Sequence, residues 1–312
     1  MNTATLFYGS NKILLKTMLG TRSFNNNVRI EKLTAVDNIH EIKTDTVWFE
    51  NDNIEDCISL TGKKRIEHIR LQTSNIDFLT DPRLKHIKGI TFQFEVENIE
   101  PLFLLSHLTH LNLPENIKID FDFSRFRNLI YLGGVLPKKN VNLNQLTKLK
   151  YTSLFNYKKE DLREFSDCKD LRRLWIYSLQ IKSLDGLSTL EKLNYVYLDN
   201  CRELVTLDGI GEKNIDLQIF HLSNSKKLQN ANSLEKLPNL KQLSLYKTPA
   251  LESLVFLKNL YNLESLGLHP NNVGVKNNDY YPLVETLQRL NKLDNLNSWK
   301  PLKNYLDKKI II

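Results

Sequence analysis

LRRLWI (171–176), LNYVYL (193–198), LQIFHL (217–222), LKQLSL (240–245) and LESLGL (263–268) are five settings of one hexapeptide frame, L-x-x-L-x-L. Carried toward the N-terminus, the same spacing gives LKYTSL (149–154), LIYLGG (129–134), LTHLNL (108–113), IKGITF (87–92), IEHIRL (66–71) and a degraded TDTVWF (44–49). Successive starts lie about 20 to 24 residues apart, a period that marks stacked repeats.

Apolar residues at frame positions four and six alternate with polar ones, the pattern of a short strand with one face inward. The connections then carry an apolar residue every third position: Ile181, Leu184, Leu187 and Leu190 in one, Leu251, Leu254, Leu257 and Leu260 in another. That spacing predicts a short helical or 3-10 return that keeps one stripe on the core. One repeat cannot bury its own leucines, so neighbours must stack and share a continuous core. Eleven strands at about 4.8 Å would make a parallel sheet on the order of 50 Å long.

The segment LNYVYLDNC, with Cys201 at the ninth position, resembles the L-x-x-L-x-L-x-x-N/C frame of the leucine-rich repeat superfamily, and IKSLDGLSTLEKL is similar to the return segment of the bacterial internalin type. The resemblance covers roughly residues 44–272. It implies an α/β repeat solenoid: a curved horseshoe with a parallel concave sheet and short helical or 3-10 convex segments. Leu179, Ser225 and Thr248 depart from the pattern, standing where Asn or Cys is usual in the ladder. The expected organisation is an N-terminal cap over 1–43, about eleven repeats over 44–272, and a helical cap and tail over 273–312. Within the first cap VRIEKLTAV alternates like a strand, and Leu283, Leu287, Leu290 and Leu293 suit one helix face, with Pro282 tolerated in its first turn. The apolar end KKIIII is read as a final strand or a tail.

The chain has 312 residues, 41% hydrophobic and 25% charged, with a formal net charge of +7. This is the composition of an ordinary water-exposed fold, and no stretch approaches the length of a membrane span. The start MNTATLFYGSNKILLKTML lacks the order of a signal peptide. Cys57, Cys168 and Cys201 fit buried small residues rather than bridges. Together these features place the chain in a reducing cytoplasm, monomeric when unbound.

Frame positions three, five and seven point away from the core. Across four adjacent repeats they bring Tyr131, Tyr151, Phe155, Trp175, Tyr177, Tyr195 and Tyr197 onto one face, with Arg173 and Asp199 among them and His221, Tyr246 and Trp48 at the periphery. Tyr, Trp and Arg dominate binding hot spots because they bury large area and keep a polar handle. The alternatives are aromatic laddering that only stabilises the sheet, or coverage of this face by the chain's own ends. Position ten is basic in several repeats (Lys138, Lys158, Arg202 and Lys226), a rim suited to an acidic partner or to phosphates, or simply a solvated edge.

No P-loop, dinucleotide-binding glycine pattern, zincin or nucleophile-elbow motif occurs, so neither catalytic residues, a cofactor nor a metal is expected. The frame points Cys201 inward and His221 outward, which separates a thiol–imidazole pair. His68 and His110, two repeats apart, should stand about 9 to 10 Å from each other, and neither they nor His107 has the carboxylate or thiol to complete a metal site. The reading is a non-catalytic module that binds a protein in its concave face. An inhibitor or immunity partner that occludes a bacterial toxin is the narrower form, on analogy with the bacterial repeats. A host-directed effector is the alternative, and a nucleic-acid binder a weaker third.

Overall fold

The computed structural model describes residues 21–25, 28–36, 41–268 and 275–291. His269, Leu293 and the KKIIII end lie outside them, as does the start of the expected N-terminal cap. The chain divides into two compact units, Met1–Ile117 and Lys118–Ile312.

In the first unit, strands β1 (Thr21–Asn25), β2 (Val28–Val36) and β3 (Glu41–Glu50) pair antiparallel in chain order. The alternating VRIEKLTAV segment is β2. Strands β4 (His68–Gln72), β5 (Gly89–Phe92) and β6 (His110–Leu113) follow, each parallel to the one before, starting from β3. Helix α1 (Ile54–Lys64) makes the first return and buries Cys57, Ile58 and Thr61.

The second unit repeats the parallel step. A short pair joins β7 (Phe121–Asp122) to β9 (Asn140–Val141). Strands β8 (Tyr131–Val135), β10 (Tyr151–Phe155), β11 (Arg173–Tyr177), β12 (Tyr195–Asp199), β13 (Ile219–Ser223), β14 (Gln242–Tyr246) and β15 (Ser265–Leu268) then pair in parallel, neighbour to neighbour. Helix α2 (Tyr281–Arg289) holds Pro282 in its first turn and buries Leu283 and Val284. From β4 onward every strand of the two parallel series starts on the third residue of its frame, because that is where inward and outward side chains begin to alternate.

After α1 most of the returns carry a 3-10 turn, as the three-residue period predicts; Leu187–Thr189 and Val255–Asn259 are examples, whereas the return between β12 and β13 has none. Both stripes read from the sequence are fully inside, with Ile181, Leu184, Leu187, Leu190, Leu251, Leu254, Leu257 and Leu260 each at 0% exposure. Gly209, at φ +109°, is needed there: a Cβ would sit 2.3 Å from the backbone carbon of Leu184.

Strand exits explain the departures from the ladder. Asn156, Asn200, Asn224 and Lys247 turn the chain in the left-handed region, with φ between 52° and 60°. The next residue in each case, Tyr157, Cys201, Ser225 or Thr248, is buried. Asn enters this region because its short side chain bonds locally. The repeat with Leu179 has no such residue, so its exit is one position shorter and Ser178 takes the slot instead. The Ser178 hydroxyl donates to the Tyr157 carbonyl at 2.8 Å and accepts from the Gln180 N–H at 3.0 Å. Leu179 is therefore not a ladder residue; it is exposed.

Candidate functional site

Strand register in the second unit sets the outward side chains in rows. The third frame position aligns Tyr131, Tyr151, Arg173, Tyr195 and Ile219. The fifth aligns Gly133, Ser153, Trp175, Tyr197, His221 and Ser244. The seventh aligns Tyr177, Asp199, Ser223 and Tyr246. Neighbouring strands are close enough for adjacent rings in a row to touch.

They form a continuous chain. Phe155 meets Trp175 at 6.1 Å between ring centroids, Trp175 meets Tyr197 edge-on at 5.3 Å, and Tyr197 meets His221 at 5.7 Å. Tyr195 reaches His221 at 6.3 Å, and the Arg173 guanidinium lies over the Tyr195 ring at 5.4 Å. Edge-on and tilted pairs suit the ring quadrupole and fix each side chain against its neighbour. Phe155 and Tyr177 are the most exposed aromatic residues of this face, at 43% and 36%. Tyr131 and Tyr151 continue it half-buried, and Tyr246 is half-buried with Lys247 over its ring.

The polar groups within the cluster are oriented. The Asn200 amide donates to the Tyr177 hydroxyl at 2.6 Å, and Arg202 donates to the Asn200 carbonyl oxygen at 2.9 Å. Asp199 accepts from the Ser223 hydroxyl and from the Asn224 amide. Burial pushes the Tyr131 and Tyr195 phenols up to about 12 and raises Tyr197 as well. All three are neutral donors at physiological pH. Asn200 is a site residue that the frame did not single out; its signal was an Asn at the eighth position, beside the tyrosine row.

His221 corrects the expectation of an outward contact. It lies on the outward side of β13, but the rings of Tyr195 and Tyr197 cover it to 9% exposure. Burial holds its imidazole down at about 4, hence neutral. Among the described residues its Nε2 has no hydrogen-bond partner. Cys201 lies inside the core, a free thiol that burial pushes up to about 12.

Lys138, Lys158, Arg202 and Lys226 are all exposed. Lys138, Lys158 and Lys226 form no ion pair among the described residues, whereas their neighbours Lys139, Lys159 and Lys227 meet Asp120, Glu164 and Glu203 at 3.5, 3.8 and 2.6 Å.

The first unit's face differs. Trp48, expected as a peripheral contact, is buried to 7% with the Arg70 guanidinium over its ring at 4.7 Å. His68 and His110 are not 9 to 10 Å apart: their rings meet edge-on at 5.1 Å. Gly89 between them has no side chain to hold them apart, and a Cβ there would lie 2.1 Å from His68 Nδ1. Burial lowers both imidazoles, His110 to about 4. Among the described residues no group of three or more His, Cys, Asp or Glu side chains gathers to hold a metal, and no helix is long and apolar enough to cross a membrane.

No protein-family model matches the chain, and no curated protein matches it. Solved structures do. An internalin, InlF from Listeria monocytogenes, superposes with a TM-score of 0.58 at 18% identity, over 73% of this chain and 67% of that one. The leucine-rich repeat domain of the type III effector XopL matches with a TM-score of 0.42 at 16% identity, over 70% of this chain and 72% of that one. Internalin C2, also from Listeria monocytogenes, matches with a TM-score of 0.34 at 17% identity, over 60% and 73% of the two chains. At these identities the likeness shows the fold alone, and the InlF match carries it.

Proposed function

We propose that this chain, which has the leucine-rich-repeat fold, captures another protein on the aromatic face of its second unit and performs no chemistry of its own. The observation that supports this most is the unbroken ring chain from Phe155 through Trp175 and Tyr197 to His221, on a face where Phe155 and Tyr177 are exposed. Contiguous exposed apolar area of this kind is the usual mark of an interaction surface. Tyr151, Phe155, Trp175, Tyr177, Tyr195 and Tyr197 act as anchors. Tyr131 and Tyr246 extend the contact, Arg173 and Asp199 set polar register, and His221 supports the tyrosines from beneath. Lys138, Lys158, Arg202 and Lys226 favour a partner with an acidic flank and speed its encounter.

The narrower reading is a cytoplasmic, monomeric inhibitor, such as the immunity partner of a toxin, that works by occluding the bound protein's own site. An exported effector would use the same face on a host protein. The inhibitor reading is tested by affinity capture from the source cell's lysate, and the effector reading from a host-cell lysate, each with the wild type and a Trp175→Ala/Tyr177→Ala/Tyr197→Ala variant followed by mass spectrometry. A protein retained by the wild type alone is the expected result. Equal retention by a folded variant rejects this face.

A further inference from the structure

The exposed Tyr177 ends in a hydroxyl whose direction is fixed by its neighbours. It bonds to Asn200, the left-handed exit residue of β12, which stands at φ 60° and is 5% exposed. An amide can offer a hydroxyl either its oxygen or its NH2, so the choice depends on what else holds Asn200. Arg202 holds it. The Arg202 Nε lies 2.9 Å from the Asn200 side-chain oxygen, and its backbone N–H donates to the Asn200 main-chain carbonyl at 2.8 Å. A guanidinium only donates, so the oxygen faces Arg202 and the NH2 faces Tyr177. The next exit repeats the arrangement: Asn224 reaches back one strand to Asp199, whose carboxylate accepts from the Asn224 amide at 3.1 Å. Tyr177 and Asp199 are register partners in the seventh row, so both exit residues donate backward to the same row.

The result is a polarised hydroxyl. Tyr177 accepts from Asn200 at 2.6 Å, so its own hydrogen points away from Asn200, and among the described residues no acceptor takes it. The ring is 36% exposed, which leaves that hydrogen open to a bound molecule. Asp199 and Arg202 flank Asn200 with opposite charges, so the place carries no net charge that would call for an ion.

We propose that Tyr177 donates its hydroxyl hydrogen to a neutral carbonyl oxygen of the bound protein, from a main-chain or side-chain amide, with Asn200 and Arg202 as the positioning residues that hold the hydroxyl in this sense. The inference rests on the aromatic face being the capture surface, and it assigns the chemistry of the bound group at one point of that face.

The probe is the protein that the wild type captures, titrated at about 0.5 M salt against Asn200→Asp, Tyr177→Phe and the two combined. Aspartate tolerates the left-handed exit, but it accepts from Tyr177 instead of donating and so reverses the hydroxyl, while the salt screens its charge. Each single variant should weaken binding about tenfold, as loss of one neutral hydrogen bond does. In the Tyr177→Phe background, Asn200→Asp should then change affinity by less than about twofold. Should Asn200→Asp fail to fold, Asn200→Gly removes the donor and keeps the turn, with an expected loss of about threefold. An equal loss from the Asn200 variant in both backgrounds makes Asn200 merely structural, and no loss in Tyr177→Phe leaves the hydroxyl unused; either overturns the proposal. A loss of about a hundredfold or more in Tyr177→Phe marks a charged acceptor and overturns the neutral assignment. Trp175→Ala separates these results from failure of the face. If it weakens binding alongside any of them, this inference alone falls; if it leaves binding unchanged, or the wild type captures nothing, the face reading falls and this inference with it.

Discussion

Two sheet faces built on the same frame have opposite chemistry. In the second unit the fifth position carries Trp175, Tyr197 and His221 in adjacent strands, packed ring against ring. In the first unit the same row holds Trp48, Arg70, Thr91 and Asn112, and its one large ring is roofed by an arginine. The inward residues serve the same purpose in both, because each has only to fill a core: Phe49, Ile69 and Ile90 are as buried in the first unit as Leu174, Val196 and Phe220 are in the second. The outward residues are under no such constraint, and there the units diverge. On the proposed reading, fold and recognition occupy alternate positions of one strand.

The comparison breaks most visibly at its two tryptophans. Trp48→Ala removes a covered side chain and should cost about 3 to 5 kcal/mol of stability, read by urea unfolding. Trp175→Ala should cost less stability but about 2 kcal/mol or more of partner affinity, roughly thirtyfold. If Trp48→Ala proved mild in stability and severe in binding, the roles assigned to the two faces would be reversed.

Gly89→Ala comes next. The new methyl would occupy the space of the His68 ring, so the His68–His110 contact must open, at a cost of about 1 to 3 kcal/mol. His110 should then titrate closer to its ordinary value, as an NMR pH titration would show.

The pH response is shared by both units. His110 and His221 are neutral in the fold, each lowered to about 4, while the unfolded chain protonates near 6.5. Between those values the unfolded state binds more protons. Stability is therefore full above about 6.5 and declines as pH falls toward about 4. His221→Phe should flatten that decline, and an unaltered pH profile would show that His221 is already open to water. The smallest effect belongs to the surface pairs: Lys227→Gln, which breaks the contact with Glu203, should change stability by less than about 1 kcal/mol.

Strand positions and return stripes were legible in the sequence because they depend on local periodicity, and Leu187 or Val196 needs only its own frame to be placed inside. What escaped depends on neighbours one repeat away. His221 is covered because Tyr195 and Tyr197 precede it by one strand, and His68 reaches His110 because Gly89 between them is bare. Leu179 left the ladder because its strand exit lacks the left-handed residue that Asn156 and Asn200 supply. Each of these is a relation between repeats, which a frame read one repeat at a time does not register.

The central claim, that recognition resides on the second unit's face and not the first's, is tested most directly by titrating the captured partner against two matched triple variants. One removes Trp175, Tyr177 and Tyr197; the other converts Gln72, Gln93 and Asn112, outward residues of the first unit, to alanine. Loss of about thirtyfold or more in affinity for the first variant, with the second binding like the wild type, is the predicted result. Wild-type affinity in the aromatic variant, or equal loss in both, would contradict it.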